Sequence, residues 1–211
     1  MLDRVGAEKA RATSLVRYAP DSHFPNHLHP GGEEILVLSG TFSDAGGDCP
    51  AGWYVRNPPG SSHQPRSLEG ATLFVKLWQM EAGEHEAVRI DTRAPSAWQR
   101  ANAQGHGDGV GEEGGQREVC PLFAGPSEVV YLLRLSAGLA LFADAIPSAE
   151  CLVLQGAVLY GGQTCDAGSW LRLPAGRYPQ LLSGPQGATV YLKTGHLPAG
   201  QLTVVPAGAA A

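Results

Sequence analysis

Apolar residues fall along this chain in short runs that have no helical period. TSLVRY, EILVLSGTF, WYVRN and TLFVKLWQ, all in the first half, are rich in leucine, aromatic and β-branched residues. Runs of this length and composition suit a pleated, half-buried surface and predict strands. The 28 Gly and 16 Pro of the 211 residues are spread between such runs, as tight turns between many strands require. The pattern predicts an all-β protein.

The same pattern occurs twice. A gapless shift of 116 residues, which carries Gly40 to Gly156, lays EILVLSGTFSDAGGDCPAGWYVRNPPG on ECLVLQGAVLYGGQTCDAGSWLRLPAG. Cys49 then meets Cys165, Gly52 meets Gly168, Arg56 meets Arg172, Pro58 meets Pro174 and Gly60 meets Gly176. One further residue of offset lays GATLFVK from Gly70 on GATVYLK from Gly187, and Arg17 on Arg134. An internal repeat of this span predicts two copies of one domain. From Glu81 apolar periodicity fades while glycine and charge accumulate, so the sequence divides into a first domain at 1–93, a connector at 94–117 and a second domain at 118–211. The glycine-rich centre of the connector, Gly105 to Gly115, is expected to be mobile, and Trp98 is a candidate to pack on one of the domains. The two copies are expected to pack sheet on sheet.

Composition narrows the functional classes. Hydrophobic residues make up 43% and charged residues 17%, enough apolar material for a packed core. With 15 Lys+Arg against 20 Asp+Glu the net charge is −5, which offers no basic field for nucleic acid. No run of about 18 apolar residues is present, and Arg134 interrupts the nearest one, so neither a membrane span nor a secretory signal is expected and the chain reads as cytoplasmic. Cys49, Cys120, Cys151 and Cys165 form no CxxC pair and are expected as reduced thiols.

The chemistry gathers in FPNHLHPGGEEILVLSG. Residues i and i+2 of a strand share a face, so His27 and His29 project together, with Leu28 expected to pack on the other side. Pro30-Gly31-Gly32 then turns the chain and Glu33 opens the next strand beside the imidazoles. A third histidine, His63, follows the Pro58-Pro59-Gly60 turn.

These intervals resemble the two motifs of the cupin superfamily, G(x)5HxH(x)3-4E(x)6G and G(x)5PxG(x)2H(x)3N. His27, His29, Glu33 and Gly40 match the first motif, and Gly52, Pro58, Gly60 and His63 match the second. Ser22 stands where the first motif opens with Gly and Ser67 where the second closes with Asn, positions that bear on turn geometry rather than on ligands. HPGGEEILVLSGTFSD, PAGWYVRNPPGSSH and FVKLWQM look like the cupin-like sensor domain of ChrR-type anti-sigma factors, over roughly Thr13 to Arg93. The resemblance implies a double-stranded β-helix, the cupin jelly-roll barrel, in two tandem copies. It also implies one divalent metal ion, zinc, or else iron, manganese or nickel, on His27, His29, Glu33 and His63.

The second copy serves as an internal control. By the 116-residue shift the four candidate ligands become Ala143, Ala145, Ala149 and Pro179, while the turn glycines and arginines persist. Residues that serve one metal are expected to be lost together. Glu34 persists as Glu150 and is placed outside the ligand set. His23, His85, His106 and His196 read as solvated, Cys49 as a packing residue, and Tyr18, Tyr54 and Trp78 as barrel lining or core.

Three imidazoles and a carboxylate saturate a tetrahedral zinc but leave positions open on a five- or six-coordinate ion. The resemblance therefore implies a regulatory or sensor module with a small-molecule ligand or a protein partner. The alternative is an iron-dependent dioxygenase that cleaves a diketone or an aryl ketone. The anti-sigma proteins carry a further zinc-binding helical domain, and no HxxxCxxC segment occurs here, so sigma-factor capture by this polypeptide alone is not expected. A homodimer is left open.

Overall fold

The computed structural model describes residues 1–7, 9–101 and 116–197. Contacts divide the chain into two compact units, Met1–Ala97 and Trp98–Ala211. The first holds β1 (Asp3–Val5), β2 (Arg11–Tyr18), β3 (Ser22–His23), β4 (His27–His29), β5 (Glu33–Asp44), β6 (Gly47–Pro50), β7 (Trp53–Asn57), β8 (Ser61–His63), β9 (Arg66–Ser67), β10 (Ala71–Leu77) and β11 (Val88–Asp91). The second holds β12 (Gln99–Arg100), β13 (Arg117–Ala124), β14 (Val129–Leu135), β15 (Ala149–Tyr160), β16 (Gln163–Asp166), β17 (Trp170–Leu173) and β18 (Leu182–Thr194).

In the first unit the strands run in the order β1-β2-β10-β5-β7-β11, all antiparallel, and β5 is the hinge between the two layers. Its first half pairs with β10 and β7; beyond Gly40 it leaves them and pairs with β6 and β9. Gly40 makes that corner with φ +69°, and a side chain there would collide with the Gly70 carbonyl. Ile35, Val37, Phe42, Val55, Leu73 and Val75 are buried between the layers. Burying each such side chain contributes about 1.5–3 kcal/mol.

The second unit carries the same plan. Its order is β12-β13-β14-β18-β15-β16, with β17 on β15. β15 begins and ends 116 residues after β5, and β16 does the same with respect to β6. The extra residue that breaks the ladder of β5 against β10 is Leu38, and in β15 against β18 it is Leu154, the equivalent position. Gly156 turns the corner with φ +67° beneath the Gly187 carbonyl.

At the end of the first unit, Pro95–Ala97 form one turn of 3-10 helix. β12 pairs with β13, and the Arg134 guanidinium lies 3.9 Å from the centre of the Trp98 ring. Gly105 to Gly115 and His106 lie outside the described residues. Among the described residues no helix is long and apolar enough to cross a membrane.

Candidate metal centre

The HLH and SSH segments form a separate two-stranded ribbon, β4 against β8. Its register sets His27 opposite His63 and His29 opposite Ser61, so strand parity brings three imidazoles to one face. Leu28, on the other face, is 58% exposed rather than packed, because no layer among the described residues covers that side of the ribbon. The turn after His29 closes with Gly32 at φ +75° and a hydrogen bond from the Gly32 amide to the His29 carbonyl of 3.1 Å. Gly31 lies directly beneath the Trp78 ring, where any side chain would clash. Glu33 then starts β5 opposite Asn57 of β7.

The three rings form a nearly equilateral triangle, with centroids 4.8, 5.0 and 4.8 Å apart and edge-on planes. One ring nitrogen from each lies within 4.8 Å of the others. His29 Nε2 and His63 Nε2 face each other at 2.9 Å. Glu33 Oε2 adjoins both, 3.5 Å from His29 Nε2 and 3.4 Å from His63 Nε2. Three imidazole nitrogens gathered this closely, with a carboxylate oxygen beside two of them, suit a cation better than they suit one another.

The far sides of two of the rings are anchored. His27 Nδ1 lies 3.0 Å from the Pro25 carbonyl, and His63 Nδ1 lies 3.2 Å from Asp44 Oδ2. Both acceptors place the proton on Nδ1 and leave Nε2 free, the arrangement that ligating histidines require. Burial, then His63 and His27, lowers the His29 pKa to about 4, so this imidazole is neutral at physiological pH. Burial raises the Glu33 pKa, against the pull of His63 and the Asn57 hydrogen bond. Burial would also raise Asp44, but hydrogen bonds from His63, Arg89 and the Gly46 amide outweigh it and hold the pKa at about 2.

Asp44, Arg89 and Asn57 are functional neighbours that sequence reasoning missed. Arg89 donates to both Asp44 oxygens at 2.6 and 2.8 Å and to Cys49 Sγ at 3.2 Å, and Asn57 Nδ2 donates to Glu33 Oε2 at 3.3 Å. The repeat contained the signal: Asp44 becomes Tyr160 and Asn57 becomes Leu173, so the supports change along with the ligands. The ribbon changes too: among the described residues the second unit has, next to the places equivalent to β4 and β8, the single bridge Ile146 to Gly176, at the positions of Pro30 and Gly60.

Other candidates separate cleanly. Glu34 is buried on the opposite face of β5, 3.1 Å from Arg56 Nη1, and Arg56 also holds Glu84. His23 is exposed beside Asp21, and His85 is exposed. His196 is not solvated as expected: it is 9% exposed, and its Nε2 lies 3.3 Å from Glu150 Oε2. Tyr54 belongs to the core, whereas Tyr18 and Trp78 line a cleft of about 350 Å³ that opens onto His27, His29 and Glu33. Burial, and then Glu33, raises the Tyr18 pKa to about 12, which keeps its phenol protonated. Trp78 holds a φ of +58°, left-handed backbone that the second unit gives to Gly195 at the equivalent position.

Residues 1–81 match the family model of the ChrR cupin-like domain. No curated protein sequence matches the chain. Among solved structures the chain is similar to a candidate dioxygenase from Nostoc punctiforme PCC 73102, with 16% identity and a TM-score of 0.67 over 92% of this chain and 72% of that one. It is also similar to a candidate glyoxylate-induced protein from Pseudomonas aeruginosa, with 18% identity and a TM-score of 0.61 over 92% and 76%. A cupin 2 conserved barrel domain protein from Leptotrichia buccalis follows, with 14% identity and a TM-score of 0.54 over 91% and 86%. Identities this low speak for the fold alone: the chain has the fold of the cupin barrels, and its residues 1–81 match the ChrR cupin-like domain family.

Proposed function

We propose that the chain binds one divalent metal ion on His27, His29, His63 and Glu33 and uses it to recognise a small molecule in the adjoining cleft, as a regulatory or sensor module. The observation that carries this reading is the convergence of one ring nitrogen from each of His27, His29 and His63 beside an open cleft of about 350 Å³. Zinc, iron, manganese or nickel would each suit nitrogen and carboxylate donors. An ion that keeps or gains an open position, as a zinc expanding to five coordinates or a five- or six-coordinate iron, manganese or nickel does, would supply a Lewis acid for a carbonyl or other oxygen donor of the ligand. The chain's own residues do the rest. Tyr18 presents a protonated phenol, Val75 and Leu77 give an apolar wall, and the Trp78 ring fixes the turn that carries His29 and Glu33.

The open cleft also supports the second reading, an iron-dependent dioxygenase for a diketone or an aryl ketone, because substrate can reach the donor groups. Elemental analysis of protein purified without added metal, followed by oxygen uptake with acetylacetone, separates the two. One equivalent of zinc with no oxygen uptake is the result expected for the sensor reading. Iron with substrate-dependent uptake would replace it with the enzyme, and protein that takes up no divalent metal would overturn both.

A further inference from the structure

The second unit has lost the ligands but kept the hollow. Its cavity of about 610 Å³ is lined by Ala143 and Ala145, which stand where His27 and His29 stand, and by Leu133 and Thr194, which stand where Val16 and Leu77 line the first cleft. The cavity is larger than the first cleft: alanine stands in place of histidine at two wall positions, and β12 and β13 add Gln99, Arg117, Val119 and Phe123 to the lining. About 610 Å³ lies within the range of sites that enclose a small organic ligand.

Its chemistry is specific. Phe123, Phe142 and Tyr131 supply aromatic faces, and Val119 and Ile146 add aliphatic wall. Three charged residues line the cavity: Arg100 and Asp144, both exposed, and, from β13, Arg117, which is half-buried and whose Nη2 donates to the Leu141 carbonyl. No carboxylate among the described residues pairs with Arg117; Asp144 at the rim faces Arg177, and Glu118 faces Arg134. Arg117 loses hydration in this wall, which lowers its pKa, while Tyr131 beside it is raised to about 12 by burial and remains a hydroxyl donor. A guanidinium in an apolar wall without a carboxylate is the half of an ion pair that a ligand can complete.

We propose that the second unit is a metal-independent binding site for an apolar monocarboxylate about the size of two fused rings, with its carboxylate on Arg117 and its rings on the aromatic wall. The site does not depend on the metal of the first unit.

Calorimetric titration of the full chain with 2-naphthoate and with the uncharged 2-naphthamide tests this. Saturable binding of one naphthoate per chain is expected, unchanged within about twofold by His63→Ala. Arg117→Gln should weaken it about tenfold or more, the value of a hydrogen bond to a charged group, and bring it to the level of the amide. Ala145→Trp, at an exposed rim position, should abolish it by filling the hollow. If Arg117→Gln fails to fold, Ala145→Trp decides alone. No saturable binding at millimolar naphthoate, equal affinity for the amide, binding that survives Ala145→Trp, or binding that disappears with His63→Ala would each overturn the proposal.

Discussion

Glu33 and Glu34 occupy opposite faces of β5, and their surroundings differ accordingly. Glu33 meets two imidazoles, whereas Glu34 meets the Arg56 guanidinium, which is fully buried. His63→Ala is therefore expected to remove most bound metal and Glu34→Ala to leave metal content unchanged, as read by elemental analysis; equal loss from both would undo the ligand assignment. Glu34→Ala should instead lower stability by about 1–3 kcal/mol, below the cost of fully breaking a buried pair, because Glu84 still neutralises Arg56. Acidification tests the electrostatics. His29 titrates near its ordinary 6.5 when unfolded and at about 4 when folded, so between those values the unfolded chain binds the extra proton. Metal-free protein should lose stability as pH falls from 6.5 towards 4. Asp44 works the same way lower down: its contribution is present above 3.8 and is lost as pH falls to about 2. Denaturant midpoints of chelator-treated protein across pH 4 to 7 should show a slope that His29→Gln reduces. Trp78 is held in left-handed backbone above Gly31, at a cost of about 1–2 kcal/mol for a residue other than glycine. Trp78→Gly should accordingly be more stable than Trp78→Ala by roughly 0.5–1 kcal/mol, since relief of the backbone exceeds the added unfolded-state entropy.

At the level of elements, β5 and β15 are one device used twice. Each changes partners at a glycine whose α-carbon sits against a carbonyl of the neighbouring turn, so Gly40→Ala and Gly156→Ala should each destabilise by more than the roughly 1–2 kcal/mol of the left-handed conformation alone. Urea unfolding of the two variants checks this, and a loss below 1 kcal/mol in either would argue that the corner relaxes. These strands were legible because their apolar runs are long and repeat in register, and the shift that aligned the sequences also aligns their ends. β11 was not legible. Val88–Asp91 is a four-residue edge strand in a polar stretch, with no residue fully buried, and it becomes a strand by pairing with β7. Missing it hid Arg89, and with Arg89 the carboxylate that orients His63. The candidate ligands are legible because HxH and the short loop to Glu33 act through local geometry. Asp44 and Asn57 act across strands 19 and 24 residues away from their partners, and only the fold brings them in.

For the whole molecule, the unequal fate of the two barrels sets the stoichiometry. All four donors, both hydrogen-bonding supports and the β4–β8 ribbon belong to residues 1–97, while the equivalent places hold Ala143, Ala145, Ala149, Pro179, Tyr160 and Leu173. A metal ion that binds only the folded site stabilises what it touches by RT ln(1 + [L]/Kd), about 2.7 kcal/mol at a hundredfold excess over Kd. Titration with zinc should therefore saturate at one equivalent per chain. Hydrogen exchange with and without chelator should place the gain in protection on the amides of β4, β8 and the start of β5, and leave β15 and β18 unchanged. A second equivalent, or protection that spreads equally over β15 and β18, would mean that the alanine-lined barrel still holds an ion, and the contrast between its two hollows, one for a cation and one for an apolar acid, would be lost.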